Sequence, residues 1–275
     1  MQNNPLRQFF RRAALSVKLP SQGKFYKPGD IDMPENKEIP VFPMTAIDEI
    51  TSKTPDALFN GSAIVEVIKS CVPNIKNGWN IPMMDMDPIL LAIRAATNGN
   101  TMDIESVCPK CEEQGEYEIN IVTLLNTLSP GDYDSQPQIG DLKFKFRPIS
   151  YEKMNKINTA QFEIEVAMRN LAKLEDSDPI KMQESSATMK KVTTLSMGLL
   201  AESIECITTP TSEVNEHEFI LDYLKNCDHK TYDAIRSMII KLREGTELKP
   251  LPVKCVHCSH EFTQKLVLNI SDFFG

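Results

Sequence analysis

The spacing of apolar residues changes period several times along the chain, and each change marks a new element. Asn4-Pro5 opens a short helix, with Asn4 as N-cap and Pro5 at its first position. Leu6, Phe9, Phe10 and Ala13 then share one face at i, i+3, i+4, i+7 spacing. Nothing local covers that face, so it either folds back on a core or meets a partner. From Ser16 to Pro43 the pattern is extended and rich in proline and glycine. Val17–Pro20 and Glu38–Pro43 read as strands on either side of the turn Pro28-Gly29-Asp30. Prolines at this density suit edge strands, not a sheet centre. Thr45–Glu49 has the spacing of a capping box and starts a helix. A stripe of Ile64, Val65, Val67, Ile68 and Cys71 predicts another between Gly61 and Val72, ended by Pro73. A third runs from Asp87 to Ala96, with Asp87 as N-cap and Pro88 in the first turn, and stops near Asn98-Gly99.

The period then switches to two. Glu116–Ile121 reads as a strand, Val122–Leu128 as a short helix, Ser129–Gly140 as a polar loop, and Leu142–Phe146 as a strand with one face in water. Helical spacing returns from Tyr151 to about Glu175, with Met154, Ile157, Phe162, Val166, Met168 and Leu171 among its apolar positions. Ser177-Asp178-Pro179 breaks it, Ser185–Ile207 resumes it, and Thr209-Pro210 breaks it again. Glu213–Cys227 and Thr231–Arg243 form a helical pair before Gly245, so this stretch reads as an αα-hairpin with additions. Glu261–Leu268 alternates as a closing strand. The Met83-Met84-Asp85-Met86 cluster fits adaptable packing better than metal–sulfur chemistry.

Two cysteine pairs change this picture. Cys108-Pro-Lys-Cys111 and Cys255-Val-His-Cys258 each put two thiols on one tight turn, and each runs into a strand. Four thiolates from two such turns complete a closed tetrahedral zinc site. A usual ribbon separates its pairs by about 15–20 residues, and here the separation is about seven times that. The expected fold is therefore α+β: a split zinc-ribbon-like β unit, a largely helical N-terminal region, and a helical insertion between the two knuckles. Its segments are 1–43, a helix and extended arm; 44–128, a helical region leading into the first knuckle and strand; 129–250, a strand plus mostly helical insertion; and 251–275, the second knuckle and C-terminal strand. Buried thiols or separate redox pairs are the alternatives. A redox pair would precede a helical pattern, and neither pair does. Cys71, Cys206 and Cys227 have no C-x-x-C partner and read as small core residues.

Composition narrows the function classes. No apolar run approaches the ~20 residues that span a bilayer, and Phe9–Leu15 is too short and too charged for a signal-peptide core. Folding in a reducing cytoplasm is the expectation, where cysteines hold metal more often than they form disulfides. The formal net charge of −8 argues against a general nucleic-acid binder. Arg7, Arg11, Arg12, Lys18, Lys24 and Lys27 nevertheless cluster near the start, where they suit nucleic acid or an acidic protein surface. A zinc with four cysteine ligands has no open position for water. Neither phosphate-binding glycine loops nor a G-x-S-x-G elbow occurs, and the deaminase pairing of H-x-E with P-C-x-x-C is missing. His217 and His229, beside acidic residues, suit a solvated helix face. No catalytic residue and no enzyme is expected.

The order of these features resembles the T4-like phage baseplate protein family, which includes hub subunits and hub-assembly factors of contractile tails. The resemblance rests on Leu19-Pro20-Ser21-Gln22-Gly23-Lys24-Phe25-Tyr26, Pro43-Met44-Thr45, the Asp87–Ala96 helix before the first C-x-x-C, Cys255-x-x-Cys258-x-x-x-Phe262, and the ending Asn269-Ile270-Ser271-Asp272-Phe273-Phe274. One departure is Glu112-Glu113 after the first pair, where glycine is common. The resemblance implies a structural or assembly component of a phage baseplate hub, located in the virion tail and assembled in the host cytoplasm. Its expected partners are other baseplate, hub or tail proteins, with Leu6–Leu15 as a docking element, and its expected cofactor is one structural Zn2+ per chain on Cys108, Cys111, Cys255 and Cys258. A transient assembly chaperone absent from the virion and a zinc-ribbon nucleic-acid factor are the alternatives.

Overall fold

A computed structural model describes residues 4–54, 61–172, 179–264 and 266. The fold is α+β with small sheets, and the chain divides into two compact units: Met1–Pro130 with Thr246–Gly275, and Gly131–Gly245.

In the first unit β1 (Leu15–Lys18) and β2 (Glu38–Val41) form an antiparallel ribbon in which Val17 faces Ile39. The α-helices of this unit among the described residues are α1 (Ala46–Ser52), α2 (Ser62–Cys71), α3 (Met83–Asn98) and the short α4 (Ile121–Leu125). Thr45 and Asp48 close a capping box on α1, and the stripe read on α2 is buried. α3 is the central helix, buried at ten positions between Met84 and Ala95. It begins at Met83, one turn earlier than Asp87, and so carries Pro88 in its interior. Proline there leaves the Met84 carbonyl without its helical donor. Burial of Met84 and Met86 in that extra turn offsets the loss.

Asp85 explains much of the Leu19–Tyr26 motif. Its carboxylate accepts from the Ser21 N–H at 2.9 Å, the Ser21 hydroxyl at 2.5 Å and the Tyr26 hydroxyl at 3.0 Å. Gly23 donates its N–H to the same Ser21 hydroxyl at 3.1 Å. It sits at φ +82°, and a Cβ there would lie 2.7 Å from Met33 Cε. Serine, glycine and tyrosine are thus fixed by one buried acid a long way along the chain.

The N-terminal segment is a 3-10 turn, Pro5–Phe9, capped by Asn4, whose side chain accepts from the Leu6 N–H. Leu6, Phe9 and Phe10 are 61%, 77% and 58% exposed. Just beyond them Arg11 is anchored. Its guanidinium donates to the Pro43 carbonyl, to Asp48 at 3.2 Å, and to the Ser70 carbonyl and hydroxyl at 2.8 and 2.7 Å. Arg11 is therefore a structural bolt and not a free cation, and Lys18 pairs with Glu38 at 3.3 Å.

In the second unit β5 (Gln138–Ile139), β6 (Leu142–Phe146), β7 (Ile204–Thr208) and β8 (Glu213–Val214) form an antiparallel sheet in that order. With it go α5 (Tyr151–Leu171), α6 (Pro179–Glu202), α7 (His217–Asn226) and α8 (His229–Glu244). Phe144 and Phe146 point into the core with rings 6.1 Å apart, and Tyr223 of α7 lies 6.3 Å from Phe144. The helix predicted to reach Ile207 stops at Glu202, and Ile204–Thr208 is a strand with Ile207 opposite Phe144. Its partner strand lies some 60 residues upstream, beyond the reach of local spacing. Glu213–Val214 likewise joins the sheet, so the next helix starts at His217. On α5, Leu171 is buried, whereas Phe162, Val166 and Met168 are exposed. The readings at 173–178, and those of the terminal strand from Val267 with the ending Asn269–Phe274, lie outside the described residues. Among the described residues no helix is long and apolar enough to cross a membrane.

Candidate metal centre

Each C-x-x-C occupies the turn of a two-stranded hairpin. β3 (Thr101–Val107) and β4 (Gln114–Asn120) flank the first, and β9 (Leu251–Lys254) and β10 (Glu261–Gln264) flank the second. The incoming strands β3 and β9 escaped the sequence reading. Met102 and Ile104 do alternate, but acidic residues between them and the following turn masked the signal.

The two turns are built alike. The Cys108 N–H donates to the Glu113 carbonyl at 3.0 Å, and the Cys255 N–H to that of His260 at 2.8 Å. In return the Glu112 N–H bonds to the Cys108 carbonyl at 2.9 Å, and the Ser259 N–H to that of Cys255 at 3.0 Å. The residue after the second cysteine is left-handed in both, Glu112 at φ 60° and Ser259 at φ 56°. That is why glycine suits this place, and why Glu112 does not prevent the turn. Backbone N–H groups also point at sulfur: Lys110 to Cys108 Sγ at 3.5 Å, and His257 and Cys258 to Cys255 Sγ at 3.4 and 3.5 Å.

All four predicted residues meet. Cys108, Cys111, Cys255 and Cys258 bring their sulfurs within 4.8 Å of one another. Cys108 Sγ lies 3.7 Å from Cys258 Sγ, and Cys111 Sγ 3.6 Å from Cys255 Sγ. A disulfide would hold two sulfurs at about 2.05 Å, so all four are free thiols. A tetrahedron with metal–sulfur bonds of about 2.3 Å has edges of about 3.8 Å. The donor set and its spacing fit one thiophilic metal ion.

The electrostatics favour thiolate at Cys255. The N–H of Cys258, then that of His257, outweigh desolvation and draw the Cys255 thiol down to about 6. Cys111 goes the other way. The Glu113 backbone favours its thiolate, but burial and the three neighbouring sulfurs push it up to about 12. A bound cation would favour the ionised form of all four sulfurs.

Further contacts lock one hairpin to the other. The Ser106 hydroxyl donates to Gln264 Oε1 at 2.6 Å, and the Tyr117 ring meets Phe262 edge-on at 6.1 Å. His257 Nε2 lies 3.1 Å from the Gln114 carbonyl and serves as donor there, and His260 stacks on Phe262. Both histidines have these structural contacts. The Tyr117 hydroxyl is buried beside Cys255, and burial, then the Cys255 charge and hydrogen bond, raise its pKa. Gly115 leaves room for it, since a Cβ there would lie 2.8 Å from that oxygen. Sequence alone did not single out Ser106, Gly115 or Tyr117. Cys71, Cys206 and Cys227 stand outside the cluster; the first two are buried and the third half-buried.

No curated protein and no solved structure matches the chain. A family model described as T4 bacteriophage base plate protein matches residues 15–275, nearly the whole length. The chain belongs to the T4 bacteriophage base plate protein family.

Proposed function

We propose that the protein is a structural or assembly component of the baseplate hub of a contractile phage tail, acting by protein–protein binding around one structural zinc per chain. Cys108, Cys111, Cys255 and Cys258 are its ligands. The observation that carries the zinc reading is the equivalence of the two turns, the same hydrogen bonds and the same left-handed residue, meeting sulfur to sulfur. On this reading the two hairpins are the halves of a split zinc ribbon, and residues 129–250 are inserted between them. Four cysteines leave no open coordination position, so the metal staples and does not activate water. Structural zinc contributes on the order of 10 kcal/mol to a fold that depends on it. Here it would hold the C-terminal hairpin against the segment that precedes the insertion.

The exposed Leu6, Phe9 and Phe10, carried on a segment bolted by Arg11, supply the docking element. The family assignment supports a place in the virion tail, with assembly in the host cytoplasm. Quantitative mass spectrometry of purified virions and of tail-assembly intermediates tests the role. A resident hub component appears in both. Presence in intermediates alone would assign a transient assembly factor, and absence from both would refute the proposal. A Cys258→Ser chain that assembled normally would remove zinc from the account.

A further inference from the structure

The helical unit holds a cavity of about 610 Å³ between α5 and α6, well away in sequence from the cysteine turns. Its floor is apolar, made by Ile157 and Ala160 of α5 and by Leu195 and Gly198 of α6. Its rim is predominantly basic. Lys153, Lys156, Lys190 and Lys191 stand there against Glu163 and Glu202. In a chain of net charge −8, such a rim runs against the composition.

Part of this charge is already used. Glu202 is shared by Lys153 and Arg147, and Glu152 pairs with Lys156. Lys190 and Lys191 are exposed, and among the described residues neither forms an ion pair. Two cations therefore overhang an apolar floor, and among the described residues Glu163 is the one rim carboxylate not already paired with another lysine or arginine.

Gly198 points the same way. Glycine within a helix weakens it relative to alanine, and is kept where another group must approach the backbone closely. A Cβ at 198 would meet nothing within 4 Å. Packing inside this chain does not require the glycine, and a body lying in the groove would.

We propose that the α5–α6 groove docks an acidic amphipathic α-helix of a partner protein. Its apolar stripe would lie on Ile157, Leu195 and Gly198, and its carboxylates would face Lys190 and Lys191. Both walls are helices whose backbone groups are already bonded along the helix, so an added strand has no edge to pair with. A helix needs only side-chain contacts. The charge on the rim sets the sign of the ligand. The proposal goes beyond the hub reading and does not depend on the metal.

The test uses the full chain and a fluorescein-labelled designed peptide of about five helical turns, with leucine at helical spacing and glutamate along the flanks. Fluorescence anisotropy should report saturable binding that weakens with salt. The Lys190→Glu/Lys191→Glu variant should lose at least about tenfold in affinity, and a scrambled peptide or one with lysine flanks should not bind. Gly198→Ala should melt at a higher temperature than the parent yet bind more weakly, an opposite pair of shifts that a folding defect cannot produce. Equal binding of all three peptides, no binding of the acidic one, or unchanged affinity in both variants would overturn the proposal. A dimer seen by sedimentation and lost in the same variants would give the groove to a second copy and overturn the partner reading.

Discussion

Replacing Asp85 by asparagine should flatten the pH dependence of the first unit's stability. Burial raises the Asp85 pKa from 3.8 to about 6, despite hydrogen bonds from the Ser21 hydroxyl, the Ser21 N–H and Tyr26 that favour its charge. A difference of about two units, at about 1.4 kcal/mol each, makes ionisation about 3 kcal/mol costlier in the folded protein than in the unfolded chain. Because the folded pKa is the higher one, this contribution is fully present below 3.8 and is lost as pH rises through about 6. Acidifying from about pH 7.5 to 5 should therefore restore roughly half of it, about 1.5 kcal/mol. Asp85→Asn has no such charge to lose. It gives up one acceptor oxygen for about 1–3 kcal/mol, so near neutral pH it should lie close to the parent. Urea denaturation followed by the single tryptophan, Trp79, reads this unit. The parent should gain on the variant as pH falls. Parallel pH profiles would refute the reasoning. Asp85→Ala, which strands Ser21 and Tyr26 without their acceptor, should lose on the order of 3 kcal/mol across the range.

Glu112→Gly and Ser259→Gly should each raise thermal stability by about 1 kcal/mol, since both residues hold left-handed backbone that costs a side chain about that much. A loss at either position would break the equivalence of the turns. Arg11→Ala should lose about 2–3 kcal/mol in urea denaturation, because Asp48 and the Pro43 and Ser70 carbonyls lose a charged donor together. Burial pushes the Asp48 carboxyl up, but bonds from Thr45 and Ser70 and the Arg11 charge hold it below 3.8. Its stabilisation is thus present above 3.8 and lost on acidification, opposite in sign to Asp85. Deleting residues 1–10, which spares Arg11, should abolish hub-partner binding in a pull-down while leaving circular dichroism unchanged. Retained binding would remove the docking role from Leu6, Phe9 and Phe10.

What could be read in advance was what local pattern determines. The buried stripe of α2, the two strands that hold Val17 and Ile39, and the four cysteines as one cluster follow from period and spacing, which need no knowledge of distant residues. What escaped depended on partners far along the chain. Ile204–Thr208 is apolar enough to extend a helix, and only Leu142–Phe146 makes it a strand. Met83–Met86 read as a packing cluster ahead of a helix capped by Asp87, and burial of Met84 and Met86 moved the start back to Met83. Tyr117 and Ser106 acquire their roles only once the second hairpin is beside the first. The Leu19–Tyr26 motif was visible as a likeness, but its cause, a buried carboxylate at Asp85, was not.

Elemental analysis of the purified chain, beside Cys111→Ser and Cys255→Ser variants, tests the central claim most directly. The account predicts one zinc per chain, lost from both variants, because each contributes a sulfur to the same ion across the length of the insertion. No zinc in the parent, or loss in only one variant, would contradict a shared site and with it the split ribbon.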